Sequence, residues 1–585
     1  EEDENLLRDL ERSRDDEMRD VMRTLQSGQY EIIRAPRNTL MTIQGVPGSG
    51  KTAVALYRLE YLLWNFKDID PEEILFIGPN SDFYHYVKSL IPQISDAHVE
   101  YRAIQDLTSL SLDVDPTLDS QDVVWIKESH RMVDLVDRGL WNRIRRPTVD
   151  AALGSHKVSS TSLVALLDEA MLEGRYNAGR IRFRNLIENS LSKSRFQEAI
   201  DAKQLDALVQ SIWPRLSPTE FLRDFFASKE RLYAAATDDF SVSEVVSLYR
   251  LPAEKMSEQK WSEADLGLLD HLVWLLDGEL TRYKYIVVDE AQDLTPFQRL
   301  SIARRSVDGS MLLLGDLGQS SRQNGLRQWS ELHRDLLSSG VRWAVNPKHA
   351  ELSISYRLPR TIIDHINDSG LLAAMDLDLQ PLRGVRDVSD SWNVWHKPDQ
   401  DSESYIDLRS VLEDLEEIYR EIGQSSSFEQ TRSVAVIVGQ TVSRTERAAI
   451  ESVQDCFRVF TPDEIKGREF DYVIVLDPQR IVEESTFGYQ QLFIAITRAT
   501  QRLDILIRLE DEDVFFLDSA LEGADSEATS VETRAPRPLQ VSFEEDLVAE
   551  TATRITTLIE EFIPRRYWGD AIMQVQQQLN QSRND

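Results

Sequence analysis

The sequence predicts an α/β protein with two parallel-sheet cores, a mostly helical insertion in the first core and a helical C-terminal extension. Three observations support this fold class. A glycine-rich turn lies between an apolar strand and a helical pattern, short apolar runs recur along the chain, and helical stretches separate most of these runs. Helices that alternate with apolar strands are typical of parallel sheets. The length of 585 residues allows several domains.

The first core is predicted from one strand, turn and helix unit and three further strands. Residues 39–44 form the first strand, and a helix is predicted from Lys51 to about Trp64. Three apolar runs complete the sheet, at residues 74–78, 285–289 and 311–315. Densely charged residues 1–25 are expected to form a packed helix before the first strand.

The rest of the chain is predicted to form a second core and its appendages. Apolar runs at 433–438, 472–477 and 503–507 indicate the second sheet. A stretch rich in Ser, Glu, Ala, Thr and Pro without periodicity indicates a linker. The predicted organisation is a first domain of residues 1–100 and 281–350, a helical insertion at 101–280, a second domain at 351–515, a linker at 516–540 and a helical extension at 541–585.

Composition excludes several classes of protein. With 41% hydrophobic and 28% charged residues, the chain is neither disordered nor fibrous. Because the formal net charge is −34, nucleic acid could bind only in a local basic groove. The single cysteine, Cys456, excludes thiolate metal clusters and favours a reducing, cytoplasmic location. No run approaches the ~18 apolar residues of a membrane span, so no membrane partner is expected.

The strongest functional signal is a phosphate-binding loop. Its eight residues match the pattern G-x-x-x-x-G-K-[ST] between a predicted strand and a predicted helix, which is the context that the motif requires. They are Gly45, Val46, Pro47, Gly48, Ser49, Gly50, Lys51 and Thr52, and Ala53 follows them. Glycines let backbone N–H groups approach phosphates, while Lys51 is expected to reach the terminal phosphates and the Thr52 hydroxyl to bind Mg²⁺.

An acidic motif supplies the other half of a nucleotide site. The apolar run at 285–289 ends on Asp289, which is followed by Glu290. Asp289 is expected to bind Mg²⁺, and Glu290 to orient or deprotonate a water molecule. Two acids after a strand could also be a solvated strand end, but the phosphate-binding loop in the same chain favours the catalytic interpretation.

These two motifs, together with five other segments, resemble superfamily 1 helicase-type motors of the UvrD/Rep class over most of residues 20–510. The resemblance implies two RecA-like domains that bind ATP between them. It also implies roles for single residues within the matching segments 25–29, 315–319, 355–357, 466–470 and 495–499. Gln29 would read the adenine, Gln319 would sense the γ-phosphate, Tyr356 would stack on the base, Glu469 would lie near the sugar, and Arg357 and Arg498 would be arginine fingers.

Three departures from that class resemble its HelD branch, whose members bind bacterial RNA polymerase and help to release it from nucleic acid. Residues 320–325 lack the aromatic side chains that stack on DNA in the wider family, and such stacking contributes about 1–3 kcal/mol per base. Residues 78–83, with Asn80 and Phe83, lack a threonine-rich strand-contacting pattern, and the interval from Arg357 to Lys466 is too short for a second inserted domain. Segments 176–180 and 213–218 resemble the same branch.

The resemblance therefore predicts an ATPase that binds and remodels RNA polymerase complexes and is monomeric apart from that partner. Two alternatives stay open: 3′-to-5′ translocation on single-stranded DNA, and nucleotide-gated binding with little work done. The branch has a long N-terminal arm, whereas only residues 1–44 precede the loop, so the arm is expected either to have been cut away or to be absent from this relative. The insertion contains a basic stretch made of Arg175, Arg180, Arg182, Arg184, Lys193 and Arg195. These side chains are expected either to contact nucleic acid or polymerase, or to pair with neighbouring acidic residues.

Overall fold

The structure, a computed structural model, describes most of the region between residues 27 and 507. The described ranges are 27–78, 99–192 without 109 and 155, 201–339 without 279, 345, 347–395, 415, 434–442, 447, 450 and 457–507. Contacts divide the chain into the units Glu1–Ser530 and Val531–Asp585, and every described residue belongs to the first unit. Several predictions concern residues outside the described ranges, namely those on 1–25, Asn80, Phe83, Lys193, Arg195, Cys456, the linker and the C-terminal extension.

The first core begins with five elements. They are α1 (Ser27–Ile33), β1 (Leu40–Gly45), α2 (Lys51–Asn65), β2 (Ile74–Gly78) and β3 (Glu100–Ala103). The predicted strands at 39–44 and 74–78 and the predicted helix from Lys51 are confirmed, within a residue at each boundary. The sequence analysis did not identify β3, because this edge strand is short and mostly half-buried, without an apolar run.

The insertion that follows β3 is helical apart from one hairpin. It contains α3 (Gln121–Lys127), α4 (His130–Trp141), the hairpin β4 (Ala151–Leu153) and β5 (His156–Val158), α5 (Ser160–Met171), α6 (Tyr176–Ser192), α7 (Ala202–Ile212), α8 (Pro218–Phe226), α9 (Lys229–Ala235), α10 (Val242–Ser247) and α11 (Glu263–Leu276). Serine side chains accept backbone N–H groups at the starts of five of these helices: Ser159, Ser217, Ser228, Ser241 and Ser262. Such caps satisfy N–H groups that lack a partner within the helix.

The two segments of the insertion that carried the resemblance to the HelD branch pack against each other. The Tyr176 and Trp213 rings meet edge to face with centroids 5.6 Å apart, and both side chains are fully buried in the core of the insertion. A Cβ at Gly179 would lie 2.7 Å from the Trp213 ring, so only glycine lets α6 approach this closely. Tyr176 and Trp213, one from each segment, thus form part of the hydrophobic core of the insertion.

The arginines of the basic stretch have partners inside the insertion. Arg184 Nε lies 2.7 Å from Asp206 Oδ1, and Arg182 Nη2 lies 3.2 Å from Glu169 Oε1. The remaining two described members also have neighbours: Arg180 Nε donates to Trp213 O at 2.9 Å, and Arg175 stacks on Trp274 at 3.7 Å. Surface ion pairs contribute roughly 0–1 kcal/mol each to stability. These arginine side chains therefore already have partners, which phosphate groups of a nucleic acid would have to replace.

The chain then returns to the first sheet. The returning elements are β6 (Tyr285–Val288), α12 (Pro296–Arg305), β7 (Met311–Gly315), α13 (Trp329–Leu337) and β8 (Pro347–Leu352). The sheet has six parallel strands in the order β3-β2-β6-β7-β1-β8. Every residue of β2, β6 and β7 is buried, as expected for a parallel sheet covered on both faces.

A buried ion pair attaches the insertion to this sheet. Asp270 of α11 binds Arg305 of α12, with Asp270 Oδ1 lying 2.6 Å from Arg305 Nη2, and both side chains are almost inaccessible to solvent. Arg305 is the last residue of α12, and its carbonyl accepts a hydrogen bond from the Tyr283 N–H just before β6, so the pair attaches the insertion at the end of β6 opposite Asp289. Buried pairs contribute more to geometry than to net stability.

A two-stranded parallel sheet precedes the second large sheet along the chain. The remaining elements are β9 (Ile354–Pro359), α14 (Arg360–Asp368), α15 (Leu371–Ala374), β10 (Arg383–Arg386), β11 (Trp392–Trp395), β12 (Val434–Ile437), β13 (Phe457–Phe460), α16 (Pro462–Ile465), β14 (Phe470–Leu476), α17 (Pro478–Glu483), α18 (Gly488–Ile496) and β15 (Ala499–Leu506). Strand β9 pairs with β10, and five parallel strands form the sheet β11-β15-β14-β12-β13. The fold is therefore α/β with mostly parallel sheets. Among the described residues, no helix is both long and apolar enough to cross a membrane.

Candidate nucleotide site

The loop between β1 and α2 has the backbone conformation that its glycines permit. Gly48 and Gly50 have φ angles of 72° and 80°, in the left-handed region that favours glycine. A Cβ at Gly45 would lie 2.5 Å from Lys51 Cγ. The Ser49 side chain is buried, and its Oγ has no hydrogen-bond partner, which leaves one polar atom of the loop available to a ligand.

The predicted metal ligands lie side by side. Thr52 Oγ1 donates a hydrogen bond of 2.6 Å to Asp289 Oδ2, which joins the start of α2 to the end of β6. Hydroxyl and carboxylate oxygens are suitable ligands for Mg²⁺, which usually takes only one or two ligands from the protein beside a nucleotide. The donor set therefore fits a magnesium ion bound together with phosphates. Lys51 Nζ, in turn, donates to the Gly45 carbonyl at 2.7 Å.

Glu290 occupies a strained position directly after Asp289, the predicted metal ligand. Its φ of 55° is uncommon for a residue with a side chain, and this conformation directs the chain into the one-turn helix Ala291–Asp293. Gln292 Nε2 donates to Glu290 Oε2 at 2.7 Å. The hydrogen bond restrains the Glu290 carboxylate, and Glu290 lines the same cleft as the loop residues.

The two adjacent carboxyl groups have opposite pKa shifts. Burial, reinforced by the charge of Glu290, raises the pKa of Asp289 to about 6. Burial also opposes ionisation of Glu290, but the nearby ammonium groups of Lys51 and Lys466 hold its pKa below the ordinary value. Glu290 is therefore ionised at neutral pH and can accept a proton or a hydrogen bond from water.

A polar network behind the site holds Gln319. The Asp316 carboxylate accepts hydrogen bonds from Gln44 Nε2 at 3.0 Å and from Gln319 Nε2 at 2.8 Å. The side-chain carbonyl of Gln292 also accepts from the Asp316 backbone N–H at 3.0 Å. Sequence reasoning assigned no role to Gln44, Gln292 or Asp316. Gln44 and Asp316 are polar residues at the ends of buried strands, a signal that could have identified them.

Two basic residues from the connections next to β14 and β15 reach Gln319 of this network. The Arg498 guanidinium donates from Nη2 to Gln319 Oε1, and its Nε donates to Ile494 O at 2.9 Å. Lys466 Nζ lies 2.7 Å from Asp293 Oδ1 and 2.6 Å from the Gln319 carbonyl. Although burial lowers the pKa of Arg498 to about 10, the side chain remains charged at neutral pH.

Arg357 approaches the loop from β9. The Tyr356 N–H donates to the Gly48 carbonyl at 3.0 Å, and a Cβ at Gly48 would lie 2.6 Å from Arg357 Cβ. The Arg357 guanidinium pairs with Glu469 and donates from Nη2 to the Thr497 carbonyl at 3.3 Å. Its Nε is buried without a hydrogen-bond partner. Both predicted arginine fingers therefore line the same cleft as the loop, each bound to a protein acceptor, and Arg357 adjoins the loop itself.

These residues surround an open cleft of roughly 1570 Å³. Thirteen of the predicted residues line it: Pro47, Gly48, Ser49, Gly50, Lys51, Thr52, Ala53, Asp289, Glu290, Gln319, Arg357, Glu469 and Arg498. Of the described residues predicted to bind nucleotide, Gln29, Gly45, Val46 and Tyr356 do not line it. Gln29 instead lies buried behind the loop, where its Nε2 donates to the Ser49 carbonyl at 3.1 Å.

The cleft thus combines a glycine-rich cradle for phosphates, a pair of oxygen ligands for a cation, an ionised carboxylate and two guanidinium groups. Such a set can bind a nucleoside triphosphate and stabilise the charge that develops when its terminal phosphoryl group is transferred to water. No protein-family model matches the chain, and no curated protein matches it.

Proposed function

We propose that this chain is an ATP-hydrolysing motor of the superfamily 1 type, in which two RecA-like domains bind ATP between them. The observation that carries the proposal is the hydrogen bond between Arg498 and Gln319, two residues that line the same cleft as the loop. A P-loop ATPase of this type needs charged groups from a second domain at the γ-phosphate. Arg357 supports the same arrangement from β9, because it adjoins Gly48.

In the proposed reaction, backbone N–H groups of residues 45–52 and the Lys51 ammonium hold the phosphates. Thr52 and Asp289 would hold Mg²⁺, which would supply positive charge to the phosphate oxygens. Glu290 orients the attacking water and accepts its proton, which its ionised state at neutral pH allows. The guanidinium groups of Arg357 and Arg498 stabilise the charge on the transferring phosphoryl group.

Nucleotide binding would have to exchange contacts that the protein makes with itself. Lys51 binds the carbonyl of Gly45, and Arg357 pairs with Glu469. A triphosphate offers both cations stronger, charge-assisted acceptors. Exchange of these partners would couple the nucleotide state to the separation of the two domains and so convert hydrolysis into movement.

For the work done by this movement we propose the remodelling of RNA polymerase complexes. One specific observation favours a protein partner over single-stranded DNA. Among the described residues that line the cleft, the insertion supplies neither lysine nor arginine. Phosphate backbones are bound mainly by lysine and arginine, and Arg182 and Arg184 of α6 pair with acidic residues within the insertion.

The test is steady-state ATPase activity of the purified chain alone, with single-stranded DNA, and with core RNA polymerase. Glu290→Gln is expected to lower turnover by about 10²–10⁴-fold, the usual range for loss of a general base, while ATP binding is retained. Glu263→Gln, which removes an exposed carboxylate from the same cleft, is the matched control and should leave turnover within about twofold. Stimulation by DNA and not by polymerase would replace the polymerase proposal with that of a translocase, and full activity of Glu290→Gln would overturn the catalytic assignment.

A further inference from the structure

The side chain of Gln44, near the end of β1, has three hydrogen bonds that the proposed reaction does not explain. Its Oε1 accepts from the Leu317 backbone N–H and from the Trp329 indole Nε1–H, each at 3.1 Å. Its Nε2 donates to Asp316 Oδ1 at 3.0 Å. Gln44 directly precedes Gly45 of the phosphate-binding loop but does not line the cleft, so these contacts organise the protein and do not bind a ligand.

The three partners allow only one orientation of the Gln44 amide group. The Leu317 N–H and the indole N–H of Trp329 can only donate, whereas an ionised carboxylate such as that of Asp316 can only accept. A flipped amide would place its NH2 group against the two donors and its carbonyl oxygen against the carboxylate. All three hydrogen bonds would then be lost, so the network fixes which end of the amide faces Asp316.

Close packing holds Trp329 opposite this amide. Trp329 is buried and belongs to a hydrophobic cluster of the first core. A Cβ at Gly315, the last residue of β7, would lie 2.9 Å from the Trp329 ring and 2.5 Å from Gln292 Oε1. Only glycine leaves room for both side chains at this position, and the indole N–H is therefore kept at Gln44.

Asp316 passes the constraint on to Gln319. Its buried carboxylate accepts from the Gly318 N–H at 3.1 Å through Oδ1, and from Gln319 Nε2 at 2.8 Å through Oδ2. Because the NH2 group of Gln319 faces Asp316, its carbonyl oxygen faces Arg498, which donates to it. Lys466 binds the backbone carbonyl of Gln319 and not its amide, so the orientation of the amide depends on Asp316 and Arg498.

The amide donors also favour the ionised form of Asp316. Burial raises the pKa of Asp316, whereas the charge of Lys51 and the hydrogen bonds from Gln319 and Gln44 oppose this shift. Loss of the Gln44 amide would take a donor away from a buried carboxylate, which is costly. The carboxylate would then hold Gln319 less firmly.

We propose that Gln44 is a positioning residue that, through Asp316, directs the side-chain carbonyl of Gln319 towards Arg498. This inference rests on the proposed nucleotide site and adds to it a path from β1, the strand that leads into the phosphate-binding loop, to the second core. Arg498 acts on charge that develops in the transition state, whereas Gln44 does not line the cleft. Loss of Gln44 should therefore lower the rate of phosphoryl transfer and hardly change the affinity for nucleotide.

The experiment measures kcat and KM for ATP hydrolysis in the full chain and in Gln44→Met, which keeps a side chain of similar length without the amide. Because small misplacements of catalytic groups can cost about 100-fold in rate, we expect kcat to fall by about 10–100-fold with KM within about threefold of the wild type. Thr39→Val is the matched control, since it removes a side-chain hydrogen bond, to the Pro36 carbonyl at 2.8 Å, from the buried residue just before β1. It is expected to lower the melting temperature and to leave kcat unchanged. An unchanged kcat in Gln44→Met, or a loss confined to KM, would overturn the inference.

A double-mutant cycle separates positioning from a general loss of stability. If Gln44 acts through Gln319, Gln44→Met should lower kcat hardly further once Gln319→Ala is present. Independent, multiplicative effects would contradict the proposal. Should Gln44→Met fail to fold, Gln44→Asn carries the same cycle, since asparagine keeps the amide but is too short to reach Asp316 and Trp329 together. Failure of the wild-type chain to bind or hydrolyse ATP would instead count against the proposed function itself.

Discussion

Arg498 donates a hydrogen bond to the side-chain carbonyl of Gln319, and this bond links the two parallel sheets at the cleft. Both side chains are buried. Gln319 lies just after β7 of the first sheet, whereas Arg498 directly precedes β15 of the second. Lys466 reinforces the link through its 2.6 Å hydrogen bond to the Gln319 carbonyl. Two residues that line the cleft therefore form a contact between the two cores.

The first prediction concerns this link. Arg498→Ala is expected to lower kcat by about 10³-fold or more, the range reported for arginine fingers, with a smaller effect on KM. The reason is that the guanidinium stabilises charge that develops only in the transition state. Steady-state ATPase kinetics measure the effect, and Arg360→Ala, which removes an exposed arginine of α14, is the control. A loss that appears entirely in KM would contradict the assignment.

The second prediction concerns the contact between the loop and β9. Gly48→Ala should abolish turnover, because the new Cβ would lie 2.6 Å from Arg357 Cβ and 2.8 Å from Ser355 Oγ, in a backbone conformation with φ of +72°. Gly154→Ala is a matched control, since that glycine has φ of +63° with no atom within 4 Å of the new Cβ. The control carries only the backbone cost of about 1 kcal/mol. Equal ATPase activities of the two variants would show that the contact is dispensable.

The third prediction concerns the core of the insertion. Gly179→Ala is expected to destabilise the protein by about 1–3 kcal/mol, because the added methyl group overpacks α6 against Trp213. Gly174→Ala measures a backbone cost alone, since its Cβ would meet nothing within 4 Å but its φ is +70°, and it should cost about 1 kcal/mol. The free energy of unfolding from chemical denaturation, followed by tryptophan fluorescence, is measured for both variants and for the wild type. The packing argument fails if Gly179→Ala is as stable as the wild type.

The fourth prediction concerns pH. Burial, together with the neighbouring His349, lowers the pKa of His333 to about 4, and its Nε2 has no hydrogen-bond partner. Between about pH 4 and 6.5 the unfolded chain therefore binds a proton that the folded chain does not. Stability from this group is present above pH 6.5 and is lost as pH falls towards 4, with a slope of up to about 1.4 kcal/mol per pH unit.

Removal of that histidine should reduce this slope. His333→Leu is expected to lose less stability than the wild type between pH 6.5 and 4, although both proteins share all other titrating groups. Denaturation midpoints measured at several pH values across this window provide the comparison. Parallel curves for the two proteins would show that His333 is not the group responsible.

Much of the fold followed from patterns along the chain. The seven predicted strands are present because runs such as Ile74–Gly78 and Met311–Gly315 are apolar throughout, and only burial on both faces suits such runs. The half-buried edge strands β3 and β10 and the strand β8 carry no such run, so periodicity could not reveal them. The hairpin β4–β5 was missed for the same reason, since its strands are only three residues long.

The sequence by itself determined the chemistry that the site can perform. The glycines, Lys51, Thr52, Asp289 and Glu290 are recognisable because backbone conformation and ligand chemistry restrict which residue types can serve at those spacings. The tertiary structure decided which distant residues meet them. Gln319 and Arg498 lie 179 positions apart, and Arg58 contacts Tyr285 across 227 positions. Contacts between such separated residues depend on strand order and on how the elements pack together, and no local pattern in the chain encodes either.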